Sequence, residues 1–458
     1  MLSPAEITMN ASRTQAVLEK LHALNSFEKT ANTQDISPLS GMQRLLGALD
    51  HPEQAYKIIH IAGTNGKGQT AAMIAALLKE EGYTVGLYTS PHVLDIREGV
   101  QINNEWISVH DFVEIAERVL EAAFSLSLDG SFVSYFDAMT AIACYAFYKH
   151  RIDWAVLEAG MGGKTDSTNA IQKVLAVITP ISHDHTAFLG ESLDAIADQK
   201  IGILTSPLPV VLSPQPQEIA AYLTKQLNEK ECTILRTDFV AILPDYPTDT
   251  YQWTFDTGET VPFRYPERKI PKSTLVCMKT ALAALRFLLP TTTSEDLFRY
   301  ARVALGVRLP GRMQWMYNQR YKETGERFQS ILLDGGHNAA ALDALHEYLV
   351  DLGVQNYTLI FGMAADKLSA RIKPPVRALC ENANSVVLTP FSSARTATTE
   401  ELQGFVCSLS DDLQAKITLA KDLRHAIRVG SDERSATTLI AGSFYLLQEA
   451  IPLFEAVG

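Results

Sequence analysis

Residues 63–69 read Gly-Thr-Asn-Gly-Lys-Gly-Gln, three glycines and a lysine set between the apolar run Lys57-Ile-Ile-His-Ile-Ala62 and a helical pattern that starts near Gln69. Glycines at 63, 66 and 68 let the backbone curl so that successive N–H groups face phosphate oxygens, and Lys67 adds a positive charge beside a transferred phosphoryl group. Thr64 and Asn65 either join the phosphates or simply satisfy the turn. The usual phosphate-binding loop follows its lysine with a hydroxyl that holds magnesium. Gly68 and Gln69 stand there instead, so the oxygen ligands a magnesium ion requires must come from elsewhere.

Neighbouring strands of a parallel sheet supply candidates, because ligands gather at the carboxyl ends of such strands. Ser90 ends the strand pattern in "YTSPH", Glu158 ends "WAVLEAG", and His185 lies in "SHDHT" beyond "VLAVITP". A strand-ending glutamate is also common as a solvated edge residue, and an isolated histidine is often structural. The three gain meaning by converging on one sheet edge.

The elements that must position these residues alternate. "KIIHIA", a helix over "QTAAMIAALLKEEG" ended by Gly82, and "TVGLYTS" form a βαβ unit, followed by strands in "WAVLEAG", "VLAVITP" and "PVVLSP". Residues 231–272 turn β-like around "YQWTFDTGETVPFRY", and a helix over "TLVCMKTALAALRFLL" leads to "GVRLPGRMQ". Alternation then restarts with "SILLDGG", "YTLIFGM", "SVVLTPF", "AKITLA" and "TLIAGS". The expected class is α/β: a first domain with a mostly parallel sheet and a nucleotide-binding loop over 1–308, and a second, independent α/β domain over 309–458. The hinge falls in the Gly306–Gly311 segment, which Pro310 punctuates.

At 458 residues the chain suits two domains, and 47% hydrophobic with 20% charged residues is a globular composition. A net charge of −12 argues against a surface that neutralises a nucleic-acid backbone. The five cysteines lack metal-ligand or disulfide-framework spacing, which fits a reducing cytoplasm. Neither an export signal nor the ~20-residue apolar run of a membrane span is read in the sequence. The expected partners are small molecules.

"HIAGTNGKG", "YTSPH", "LEAGMGGKTDSTN", "DHTAFLG", "PGR", "LDGGHN" and "FGMAADK", in this order over about residues 58–367, resemble folylpolyglutamate synthase and dihydrofolate synthase, which belong to the ATP-dependent Mur-type amide ligases. The resemblance implies an N-terminal phosphate-loop ATPase domain and a C-terminal Rossmann-like domain with the active site between them, and attachment of L-glutamate to a folate, to dihydropteroate, or to both, through an acyl phosphate. It implies ATP and Mg2+, with two ions possible, at a metal set of Ser90, Glu158, His185 and Lys200, the last carbamylated. Gly63, Thr64, Asn65, Gly66, Lys67, Gly68 and Gln69 form the implied nucleotide site together with Arg312 and Asp334. Lys67, Lys200 and His337 form the catalytic set, and the family is often monomeric. This chain departs from the family pattern at Gln69, Lys164, Asp137 and Lys279, the last aligned with an adenine-contacting asparagine. Those departures keep open a Mur-type ligase for a non-folate carboxylate, or a nucleotide-binding paralogue without catalysis.

Overall fold

The computed structural model describes residues 4–24, 39–128, 131–238, 240–245, 250–255, 260–264, 269–432 and 435–457. Two sheets organise it. The first runs, in spatial order, Glu105–Trp106, Val100–Ile102, Val85–Tyr88, Trp154–Glu158, Lys57–Ala62, Leu175–Ile178, Pro209–Leu212 and Thr233–Leu235. From Val85–Tyr88 onward its pairs are parallel, and only the short Val100–Ile102 and Glu105–Trp106 edge is antiparallel. The central strands are almost continuously apolar because helices cover both faces.

Register decides what lies together at the sheet edge. Ile61 pairs with Glu158, Ala62 with Ile178, and Tyr88 with Leu157. Chain leaving these four strands therefore emerges side by side, which brings the glycine loop, Ser90, Glu158 and the segment 180–185 to one edge.

Helix Lys67–Glu80 fills the space above this sheet. Ten of its residues between Gly68 and Leu78 are buried, and it is apolar all round because helices Lys272–Leu288 and Ser294–Gly306 cover its outer side. An antiparallel meander of Val240–Asp245, Thr250–Phe255 and Thr260–Arg264 joins the same core through Tyr251 and Trp253. It occupies the stretch read as β-like, of which 239, 246–249, 256–259 and 265–268 lie outside the described residues.

The second sheet runs Ile417–Leu419, Ala383–Leu388, Tyr357–Phe361, Thr437–Ala441, Arg327–Asp334, Gln314–Tyr321 and Phe454–Ala456, with the last two antiparallel. Its core is separate from that of the first sheet. Helix Ser294–Gly306 packs in the first core, and strand Gln314–Tyr321 is the next element of the chain and belongs to the second sheet. The described cysteines are all unpaired, and among the described residues no helix is long and apolar enough to cross a membrane.

Leu77 is fully buried between the first sheet and the covering helices. Leu77→Ala is expected to destabilise the first domain by about 2–5 kcal/mol, the range for truncating a fully packed leucine. Urea unfolding followed by circular dichroism checks this, and an unchanged midpoint would contradict the packing described.

Candidate active site

The glycine loop begins as strand Lys57–Ala62 ends. Gly66 takes a positive φ of 81° to open helix Lys67–Glu80, whose first amides at Lys67, Gly68 and Gln69 have no partner within the helix. The two preceding amides are differently employed: Thr64 N–H and Asn65 N–H both donate to the Pro180 carbonyl, at 3.0 and 3.3 Å. Thr64 Oγ1 donates to the Ser182 carbonyl and accepts from Ser182 N–H, both at 3.0 Å. Thr64 thus satisfies the turn, one of the two roles open to it, and the anion-facing part of the loop narrows to the helix start.

Glu158 explains why the hydroxyl position holds glycine. A Cβ on residue 68 would lie 2.9 Å from Glu158 Oε2 and 3.5 Å from Arg312 Nη2. The carboxylate and the guanidinium close over the helix start, and a side chain at 68 would have to displace the Glu158 carboxylate. Glu158 Oε2 also accepts from Ser90 N–H at 3.0 Å. The carboxylate is only 3% exposed, and burial raises its pKa against the opposing pull of Lys67, Arg312 and the Ser90 amide. A desolvated acid of this kind is a fitting partner for a cation.

Lys67 Nζ donates to the Thr64 carbonyl at 3.2 Å, within its own loop. Lys200, 3% exposed on helix Leu193–Ile201, donates from Nζ to the Gly63 carbonyl at 2.6 Å. Burial first, then the neighbouring Lys67 charge, lowers the Lys200 pKa to about 7. A good part of this amine is therefore neutral and nucleophilic near neutral pH.

On the opposite wall stand residues of the second domain. Asp334 ends strand Arg327–Asp334 and is held by Met313 N–H at 2.9 Å and Gly336 N–H at 2.8 Å. Burial lifts its pKa to about 6 in spite of those amides and Arg312. Arg312 lies over the Phe444 ring, 4.8 Å from its centroid, and reaches toward the first domain. His337 Nδ1 lies 3.0 Å from the Gly335 carbonyl, so in the neutral ring the proton belongs there and Nε2 is left to face the cleft.

Asp184 joins the two walls, a role the sequence reading did not assign. Its side chain, 9% exposed, pairs with Lys367 Nζ through Oδ1, accepts from Asn338 Nδ2 at 3.0 Å through Oδ2, and lies 3.7 Å from His337 Nε2. Burial pushes its pKa up, but His337, His185 and Lys367 outweigh this and hold it well below the usual carboxylate range. His185 follows in a left-handed conformation, φ 48°. Its pKa falls to about 4, mainly through burial, which keeps the ring neutral and able to ligate. Asp184, His185 and His337 offer ligand atoms that all lie within 4.8 Å of one another.

All the expected site residues line one cleft of about 370 Å³, a volume suited to a small molecule. Besides them it takes in Asp184, Asn338, Phe444 and a wall of Ser273, Thr274, Val276 and Cys277. Lys279 and Lys164 are not among its lining residues. Signals for the missed groups were present in part: Asp184 adjoins His185, and Lys367 and Asn338 fall inside motifs. No local pattern reveals that they meet across the cleft.

Residues 61–242 match the Mur ligase middle domain family, and residues 317–453 match the family of the dihydrofolate synthetase C-terminal domain. Dihydrofolate synthetase of Saccharomyces cerevisiae is 28% identical over 443 residues, covering 91% of this chain and 98% of that protein. Folylpolyglutamate synthase of Lacticaseibacillus casei is 30% identical over 359 residues, covering 76% and 80% respectively. A bifunctional folylpolyglutamate synthase/dihydrofolate synthase solved with Mn, AMPPNP and L-glutamate bound superposes with a TM-score of 0.75 at 25% identity, covering 96% of this chain and 97% of that one.

Glu158→Gln separates stability from function. Removing a buried charge whose pKa is raised by burial is expected to leave the thermal midpoint unchanged or higher, while metal-dependent ATP turnover falls at least about 100-fold. Differential scanning calorimetry beside an ADP-release assay checks both, and parallel loss of stability would show Glu158 to be a structural anchor instead.

Proposed function

We propose, because this chain belongs to the folylpolyglutamate synthase and dihydrofolate synthase family of Mur-type ligases, that it couples ATP cleavage to attachment of L-glutamate to the carboxylate of a folate, of dihydropteroate, or of both. One observation carries the reading: a buried carboxylate, two lysines, an arginine and two histidines from both domains converge on the amino end of one helix in a single cleft. A binding-only protein has no use for so many desolvated charges.

The chemistry of amide formation accounts for each. A carboxylate is a poor electrophile, so the γ-phosphoryl group of ATP is first transferred to it, and the amine of glutamate then displaces phosphate from the acyl phosphate. Lys67 and the free amides of Lys67, Gly68 and Gln69 stabilise charge on the transferred group, and Arg312 adds a second positive charge from the facing domain. Residues fit a divalent ion as well: Ser90, Glu158 and neutral His185 offer the donors, and a bound ion supplies charge neutralisation at the phosphates. His337 Nε2, unprotonated and aimed into the cleft, is suited to orient a phosphate-side donor or to receive the proton of the attacking amine. Asp334, with both oxygens engaged by backbone amides, fixes the turn that carries Gly336 and His337.

Lys200 fits the carbamate role. A neutral amine adds to carbon dioxide to give R–NH–COO− and a proton, and the N–H that remains retains the bond to the Gly63 carbonyl. The new carboxylate replaces a buried positive charge near Lys67 with a negative one, which favours a second cation.

ADP release with magnesium and ATP, measured for dihydropteroate plus glutamate beside tetrahydrofolate plus glutamate with product masses read together, tests the assignment. A glutamyl adduct on at least one pterin is expected; ATP cleavage without an adduct on either would refute the folate reading. A second expectation concerns Lys200: with labelled bicarbonate, a carbamate carbon signal should be lost as pH falls below 7, where the amine is protonated, and level off above it. Its absence at pH 8, or its persistence in Lys200→Arg, would remove the carbamate.

A further inference from the structure

Asn65 occupies the loop position where a phosphate ligand is expected, yet its hydrogen-bonding groups are already engaged. Its backbone N–H goes to Pro180, its Nδ2 donates to Ser182 Oγ and to Asn338 Oδ1, both at 3.2 Å, and its Oδ1 accepts from Asn338 Nδ2 at 3.0 Å. Both side-chain protons are spoken for, and no donor remains for a phosphate oxygen.

The orientation of this pair is fixed by a helix. Asn338 is the N-cap of helix Ala339–Asp351, and its Oδ1 accepts from Ala341 N–H at 3.0 Å. Nδ2 must then point the other way, toward Asn65 Oδ1 and Asp184 Oδ2. Turning either amide over would set like groups against each other. The result is a reciprocal amide pair that joins the glycine loop of one domain to the helix start of the other, with the Asp184–Lys367 ion pair beside it.

We infer that Asn65 and Asn338 are positioning residues: a clasp that, with Asp184 and Lys367, keeps the cleft shut over the reacting groups and so couples ATP cleavage to amide formation. The inference rests on the ligase reading. An acyl phosphate is lost to water if the cleft opens before the amine attacks, so the clasp protects yield rather than nucleotide affinity. The loop itself is held by Pro180 and Ser182 through Thr64 and the Asn65 amide, so the clasp is separable from the geometry of the loop.

Asn338→Asp tests this without removing the cap, since a carboxylate still accepts from Ala341 N–H but cannot donate to Asn65 or Asp184. Asn65→Ala breaks the pair from the other side and needs no helix cap. For both, the amide product formed per ADP released is expected to fall at least about fivefold, with the Kd for Mg-AMPPNP within about threefold of the wild-type value. The double variant should be no worse than the poorer single one. Nucleotide affinity falling in step with turnover, at an unchanged product-to-ADP ratio, would overturn the clasp and return Asn65 to the phosphates. A distance between nitroxides, one on each domain, measured with Mg-AMPPNP, gives a readout that needs no acceptor. The variants should shift toward longer separations, and an unshifted distribution refutes the clasp. If neither pterin yields product with the wild-type protein, the folate reading fails while this distance still decides the clasp.

Discussion

The structure turns on a carboxylate that is almost wholly buried. Glu158 ends the strand beside the glycine-loop strand, and burial raises its pKa. Its surroundings oppose that shift: Lys67 from the loop, Arg312 from the second domain and the Ser90 amide from the next strand. That requirement propagates outward. Gly68 has to lack a side chain, the strands on either side have to be in the register that brings Ser90 and the loop level with Glu158, and the second domain has to approach closely enough for its guanidinium to count. A single desolvated acid thus ties local sequence, sheet register and domain arrangement together.

The two domains meet through directional contacts in the cleft. Asp184 is offered by the first domain and engaged by Lys367 and Asn338 of the second, with His337 within reach. Away from the cleft the domains also touch, through an exposed Lys272–Glu347 pair at 3.3 Å, Lys269 Nζ and the Asp351 carbonyl at 2.6 Å, Gln448 Nε2 and the His92 carbonyl at 2.8 Å, and Val93 packed in the second domain's core. Exposed pairs contribute little, whereas a buried carboxylate that loses its partners is costly. The contacts of Asp184 are therefore costly ones to break, and they lie where the proposed chemistry needs water excluded.

Much of the fold was legible because it rests on local pattern. Buried strands such as "KIIHIA" and "YTLIF" are short continuous apolar runs, Gly82 closes its helix as expected, and the two alternating series mark two domains. Edge strands were harder. Glu105–Trp106 has a single neighbour and both its residues are exposed, and Phe454–Ala456 is only three residues long, so their side chains carry little periodicity. Site residues were legible where chemistry dictates residue type, as with Lys67 and Glu158. They were illegible where the meaning lies in a partner: Asn65 and Asn338 are 273 positions apart, and nothing near either one announces the other. The same limit applies to Thr64, whose role was decided by Ser182 on another strand's exit.

The departures from the family pattern acquire a physical reading from where they sit. Asp137 caps helix Tyr135–Lys149 in a reciprocal box with Ser134, for which the shorter acid is long enough. Lys164 donates its backbone N–H to Gln199 and packs its stem against Gly202, outside the cleft, so exchange of a planar cation for a flexible one leaves the reacting groups untouched. Lys279 likewise lies off the cleft wall, where Ser273, Thr274, Val276 and Cys277 stand instead, and its pKa is lowered chiefly by burial in its own helix packing. Only Gln69 reaches the cleft, where it contributes one of the three helix-start amides without a partner in the helix. Three of the four changes thus bear on how the scaffold is built. The charged side chains that line the cleft, Lys67, Glu158, Lys200 and Arg312 among them, lie elsewhere.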